Sequence, residues 1–103
     1  MAKAVEYRIE YSENAAAHLD EMTKRQRVVV IEAIDAQLMF EPAVETRHRK
    51  RLRANPLAPW ELRVGDLRVF YDVADQPEPM VQVLAVGVKI RSRVVIGGVE
   101  VDL

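Results

Sequence analysis

The sequence contains no cysteine. Disulfides, thiolate nucleophiles and Cys-ligated zinc or iron–sulfur centres are therefore excluded. Histidine is almost as scarce: His18 and His48 are the two in the chain, without His-x-x-x-His spacing or clustered carboxylates, so no metal is expected. Ser12 and Ser92 lie in contexts with no nearby His or glycine elbow, which argues against a serine nucleophile. Gly87, Gly97 and Gly98 do not form a phosphate-cradling pattern, and no cofactor is expected. No stretch approaches the ~18 consecutive apolar residues of a membrane span. The opening "MAKAVEYRIEY" lacks the apolar core of a signal peptide, so the expectation is a soluble, cytoplasmic protein with no membrane partner. No internal repeat or low-complexity tract is visible.

What is present is an ordinary globular balance: 103 residues, half of them apolar and 30% charged, long enough for one domain spanning residues 1–103 with a single core. The formal net charge is only -1, yet the charge is segregated by position. Residues 1–46 hold five Lys/Arg and nine Asp/Glu, residues 54–103 hold five and seven, and the short run 47–53, "RHRKRLR", carries five positive charges and no acid. A near-neutral total argues against nucleic acid, whereas this distribution argues for it.

The stretch "VEYRIEY" alternates Val5, Tyr7, Ile9 and Tyr11 with Glu6, Arg8 and Glu10, the period-2 pattern of a half-buried strand. Ser12 then reads as the N-cap of a short helix with Ala15, Ala16, Leu19 and Met22 at helical spacing. Thr23 and Gln26 form a capping-box pattern, which starts a second helix at Lys24. Val28, Ile31, Ile34 and Leu38 are spaced for its buried stripe, and Pro42 marks its end. Beyond the basic loop, "WELRV", Gly65-Asp66 and "LRVFYDV" read as a tight hairpin, and "MVQVLAVGV" as a more fully buried strand. The tail "VVIGGVEVDL" either adds a short edge strand or hangs loose. Helices and strands are segregated, so the expected class is α+β: an N-terminal strand and a two-helix hairpin packed on a small twisted antiparallel sheet, whose other face is open to solvent.

Function is expected on that open face, and positive charge is the chemistry available there. Arg47, Arg49, Lys50, Arg51 and Arg53, with His48 among them, form the basic loop; Arg63 and Arg68 flank the hairpin turn; Lys89, Arg91 and Arg93 follow the buried strand. Neighbouring strand ends could bring these groups into one wall suited to RNA phosphate. Arg68 alternates with Phe70 and Asp72, opposite Val69, Tyr71 and Val73, so it faces outward if the latter face the helices. The competing readings are plain ones: a basic run is commonly a solvated loop, a lone His on a helix a surface or partly buried residue, and a single Trp leading into a strand a core residue.

"KRLRANPLAPWELRVGDLRVFYDV" followed by "VLAVGVKIRSRVVIGG" resembles the RelE/ParE superfamily of toxins from bacterial type II toxin–antitoxin systems, through its L-R-x-G-x-x-R-x-x-Y core and its A-V-G-x-K-x-R strand end. The resemblance covers roughly residues 5–96. It implies two helices on a twisted antiparallel sheet and a cognate antitoxin that covers the functional surface. The superfamily splits: the RelE-like branch cleaves mRNA on the ribosome without a metal, and the ParE-like branch inhibits DNA gyrase by binding. In the ribonuclease branch the motif places catalytic roles on Arg68 and Lys89; from the charge pattern, RNA binding is expected of Arg47, His48, Arg49, Lys50, Arg51, Arg53, Arg63 and Arg91. The sequence departs from the branch's motif in two regions. Pro59, Trp60 and Glu61 stand where that branch can place lysines, and Val95 stands where a late tyrosine is expected. His48, Glu61 and Tyr71 are the remaining candidates for proton transfer, although Glu61 would repel phosphate. The leading expectation is a ribosome-associated mRNA endoribonuclease; the alternatives are a gyrase inhibitor and a degenerate toxin that retains only antitoxin binding.

Overall fold

The computed structural model describes residues 4–102; residues 1–3 and 103, which begin the N-terminal stretch and end the tail, lie outside the described residues. The elements are β1 (Arg8–Tyr11), α1 (Glu13–Glu21), α2 (Lys24–Leu38), β2 (Arg49–Arg51), β3 (Trp60–Val64), β4 (Leu67–Ala74), β5 (Met80–Ile90), β6 (Arg93–Ile96) and β7 (Val99–Val101). Both helices start where the capping residues dictate. Ser12 Oγ accepts from the Ala15 N–H at 3.1 Å. Thr23 and Gln26 satisfy one another's backbone N–H groups at 3.0 and 3.1 Å, and each such cap contributes about 1 kcal/mol.

The buried stripe of α2 is Val30, Ile34 and Leu38, not the expected set that included Val28 and Ile31. The run Val28-Val29-Val30-Ile31 offers apolar side chains around most of a turn, so local spacing does not choose among them. Packing against the sheet does: the buried face is rotated toward Ala33 and Gln37, leaving Val28 47% and Ile31 38% exposed. In α1, Ala15 and Leu19 are buried as expected, while Ala16 is exposed.

One seven-stranded sheet runs in the order β2-β3-β4-β5-β6-β7, antiparallel throughout, with β1 added parallel to β5. The expected antiparallel sheet is therefore mostly so. Side-chain alternation identifies the faces of β1 but not its direction, which is why the parallel pairing was not legible. The 11-residue β5 serves two strands along one edge: β1 pairs with Met80–Val83 and β6 with Gly87–Ile90. Residues 84–86 fall in the gap, and α1 fills it. Ser12 Oγ donates to the Leu84 carbonyl at 3.1 Å, and His18 Nδ1 accepts from the Val86 N–H at 3.3 Å. His18 thus has a structural task.

The basic run is not the loop its composition suggested. Arg49–Arg51 forms an edge strand antiparallel to β3. Its period-2 pattern is invisible in sequence because both faces carry charge. The tail is a hairpin, β6 and β7, turning at Gly97-Gly98, where both residues have positive φ.

The sheet has two cores. On the helix side, Val30, Ile34 and Leu38 pack with Trp60, Leu62, Val69, Tyr71, Val81, Val83 and Val86. On the other side a smaller cluster joins Phe70, Ala85, Ala58 and Ile96, with Leu52, Leu57, Val94 and Val101 against it. The far face is thus partly covered rather than open. Phe70 has no exposed surface there, and burying it needs a lid on each side. One lid is residues 52–58, locked by Asn55, whose side chain makes hydrogen bonds to Arg53, Leu57 and Ala58 backbone groups. The other is β6. Its approach is so close that a Cβ on Gly87 would lie 2.6 Å from the Val95 carbonyl oxygen and 2.7 Å from Ile96 Cγ1, so only glycine fits.

Candidate nucleic-acid interface

Strand pairing decides which charged residues share the outer face. Lys50 lies across from Glu61, Arg63 across from Arg68, and Arg68 across from Gly87. Directly paired residues project to the same side, and so do residues two apart. Lys50, Glu61, Arg63, Arg68 and Lys89 therefore occupy one face, between the 52–58 lid and β6. His48 joins its rim: it is exposed, and its carbonyl accepts the Arg63 N–H at 2.8 Å.

Arg68 is on the expected face but is only 8% exposed. Its Nη1 donates to the Gly65 carbonyl at 2.6 Å and the Leu67 carbonyl at 2.9 Å, which ties the guanidinium to its own hairpin turn. Among the described residues no enclosed side-chain nitrogen or oxygen lacks a partner. Arg68 Nε and Nη2 make no hydrogen bond to the described residues, so both reach the surface. The turn holds one edge of the guanidinium and presents the other, a fixed fork suited to a phosphate.

Glu61 is 6% exposed, and its Oε1 accepts from Arg63 Nε at 2.7 Å. By the same reasoning Oε2 reaches the surface. The carboxylate is set between Lys50 on one strand, Arg63 two residues along its own, and Arg68 diagonally on the next. Sequence reading treated Glu61 as a charge that repels phosphate; the sheet register surrounds it with cations that offset that repulsion. The signal was present in the spacing Lys50–Glu61–Arg63, but it needed β2 to be a strand. Lys89 is exposed, and its backbone N–H bonds the Asp66 carbonyl at 2.7 Å, which holds the strand end beside the β3–β4 turn.

Other expected residues lie elsewhere. Arg49 is 8% exposed on the helix side; its Nε donates to the Val44 carbonyl at 2.9 Å and its Nη1 to the Gln37 carbonyl at 2.8 Å. It ties the connection before β2 to the last turn of α2, where a cation is favoured by the helix dipole. Arg51 places its guanidinium carbon 5.5 Å from the Trp60 ring centroid. Trp60 is 4% exposed and stacked on Tyr71 at 6.1 Å between centroids, so it is a core residue. Arg47 and Arg53 are exposed at the two ends of β2, and Arg91 at the β5–β6 turn with φ of 60°; neighbouring Arg93 pairs with Glu100 at 2.5 Å.

Of the remaining proton-transfer candidates, Tyr71 is removed by its position. It has no exposed surface, its hydroxyl donates to the Pro42 carbonyl at 2.7 Å, and burial pushes its pKa far above the usual phenol value. Val95 is half-buried and paired with Val88, so no ring stands where a late tyrosine was expected. Among the described residues no group of three or more His, Cys, Asp or Glu is placed to hold a metal ion, and no helix is long and apolar enough to cross a membrane.

No family model matches the sequence, and no curated protein matches it. Among solved structures the chain is similar to one from the toxin–antitoxin complex RelBE2 of Mycobacterium tuberculosis, with a TM-score of 0.72 and 26% identity across 86% of this chain and 98% of that one. Two helices on a mostly antiparallel sheet, the L-R-x-G-x-x-R-x-x-Y hairpin at its centre and this structural likeness give the chain the α+β fold of a RelE-type toxin.

Proposed function

We propose that this chain is the toxin of a toxin–antitoxin pair, and that it acts as a ribosome-associated mRNA endoribonuclease. The observation that carries the reading is the outer face itself, where Lys50, Arg63, Arg68 and Lys89 share one side of the four neighbouring strands β2 to β5. An RNA phosphate on this face meets the open edge of Arg68, with Arg63 and Lys89 to either side. Charge of that kind stabilises the dianionic pentacoordinate phosphorus formed when a 2′-hydroxyl attacks in line. The cognate antitoxin is a partner whose acidic segment lies on the same cations, so inhibition and RNA binding compete. High salt weakens both.

The test is to add the chain, freed of its antitoxin, to a translating extract and map mRNA 5′ ends. New ends within ribosome-occupied codons, absent with Arg68→Ala, support the reading; intact mRNA counts against it. A second reading, gyrase inhibition by binding alone, draws on Val95, which leaves β6 without the expected tyrosine. Inhibition of supercoiling with mRNA left intact would favour it.

A further inference from the structure

The solvent side of α2 carries apolar residues that the fold does not use. Val28, Val29 and Ile31 are exposed, and β-branched residues at such positions lower helix propensity without adding to the core. Apolar residues exposed singly are ordinary. These three lie together in the middle of one helix, and the residues to either side are charged by sign. Lys24 and Arg25 begin the helix, Glu32 and Asp35 follow the apolar residues, and all four are exposed. None of the four lies within ion-pair distance of an opposite charge among the described residues. Arg27, by contrast, is turned toward the Leu19, Asp20 and Met22 carbonyls at the end of α1.

This order of charges works against the helix that carries it. A helix is stabilised by acids in its first turn and bases in its last, whereas the first turn of α2 holds no acid and its last turn no base. Helical spacing sets Lys24, Val28, Ile31 and Asp35 in one stripe and Arg25, Val29 and Glu32 in the next. Each stripe runs from base through apolar to acid. A second helix of the same sequence, laid antiparallel on this surface, sets acid against base at both ends and apolar against apolar between. Opposed macrodipoles favour the same arrangement.

We propose that α2 is a self-association surface: two copies of the chain meet through their second helices in antiparallel, about a two-fold axis between Val28 and Ile31, with Lys24 and Arg25 of each copy facing Glu32 and Asp35 of the other. The patch is complementary to itself, as an isologous contact requires. At ~1.5 Å per residue the 15-residue helix is about 22 Å long. The contact is therefore small, and the dimer belongs to the transient class that buries less than about 1,200 Å². Because α2 packs on one side of the sheet and the cations of the outer face lie on the other, pairing leaves Arg68 of both copies open. The inference does not rest on the ribonuclease reading.

The test is sedimentation velocity of the full chain, freed of its antitoxin, from about 10 µM to about 1 mM. The wild type is expected to pass from monomer to dimer over this range, and less readily at high salt. Lys24→Glu with Arg25→Glu makes the face acidic from end to end, and Glu32→Lys with Asp35→Lys makes it basic. Each double variant alone is expected to associate at least about 10-fold more weakly, and an equal mixture of the two is expected to recover the dimer as a heterodimer. Should either variant fail to fold, Val28→Gln replaces it, since it keeps the charges and removes apolar contact at the centre. Association of Val28→Gln equal to that of the wild type overturns the proposal. A wild type that stays monomeric throughout the range overturns it, and a loss of antitoxin binding by the same variants would then assign the face to that partner. Self-association that both double variants retain when alone puts the contact elsewhere and overturns it as well.

Discussion

The two faces of β3, β4 and β5 are built from the same strands and solve opposite problems. On the helix side Leu62, Val69, Tyr71, Val83 and Val86 are almost wholly excluded from solvent, and the Tyr71 hydroxyl enclosed there is satisfied by the Pro42 carbonyl. On the outer side Phe70 and Ala85 are as well buried, yet Glu61 and Arg68 are enclosed beside them with some of their polar atoms still open. Charged groups are costly to enclose and are normally fully paired when they are. Holding them nearly buried but incompletely paired fixes their geometry while leaving capacity for a ligand. The contrast between Arg49 and Arg68 makes the point within one residue type: equal exposure, but Arg49 donates through both Nε and Nη1 to carbonyls that brace the fold, whereas Arg68 commits only Nη1.

Substitutions on the two faces should separate stability from activity. The largest stability effect is expected from Tyr71→Ala, which opens a cavity in the helix-side core beneath Trp60 and leaves the Pro42 carbonyl unpaired; about 3–5 kcal/mol, read by chemical denaturation, is expected. On the outer face Arg68→Ala should lower mRNA cleavage by about 100-fold or more, in keeping with loss of a charge-stabilising donor, with a change in unfolding midpoint small by comparison. His18→Leu removes the partner of the Val86 N–H in the gap between β1 and β6, and about 1–3 kcal/mol of stability should be lost, visible as faster amide exchange at Val86. The smallest effect is expected from Lys89→Ala. An exposed cation mainly adds non-specific phosphate attraction, so RNA binding should weaken a few-fold and the slope of log affinity against log salt should fall by about one.

A pH series sharpens the same comparison. Burial raises the Tyr71 pKa above its ordinary value of 10.0. The group therefore adds stability that is complete below pH 10.0 and is lost as the pH climbs from there through the folded-state value. Tyr71→Phe should abolish that part of the alkaline loss of stability and leave the acidic side unchanged.

Much of the fold was legible because local signals agreed with one another. The Ser12 cap, the Thr23–Gln26 box, the Gly65-Asp66 turn and the alternation of "LRVFYDV" each pointed to the element that forms. What escaped was set by tertiary packing. Four consecutive β-branched residues in α2 hid the rotation of its buried face, a charged strand hid β2, and β1 gave no sign of running parallel to β5. The site was legible as a set of cations but not as an arrangement. Its grouping depends on two registers: Arg63–Arg68 follows from the β3–β4 hairpin, whereas Lys50–Glu61 exists only once β2 is recognised as a strand. That register also recasts Glu61, which in isolation looks like an obstacle to phosphate.

The central claim is that the two nearly buried arginines have divided roles, Arg49 in the fold and Arg68 in the reaction. The most direct measurement pairs thermal unfolding with mRNA cleavage per folded molecule for Arg49→Ala and Arg68→Ala. The account predicts that Arg49→Ala melts at a lower temperature yet cleaves normally when folded, and that Arg68→Ala stays folded without cleaving. Normal cleavage by Arg68→Ala, with loss of cleavage by folded Arg49→Ala, would contradict it.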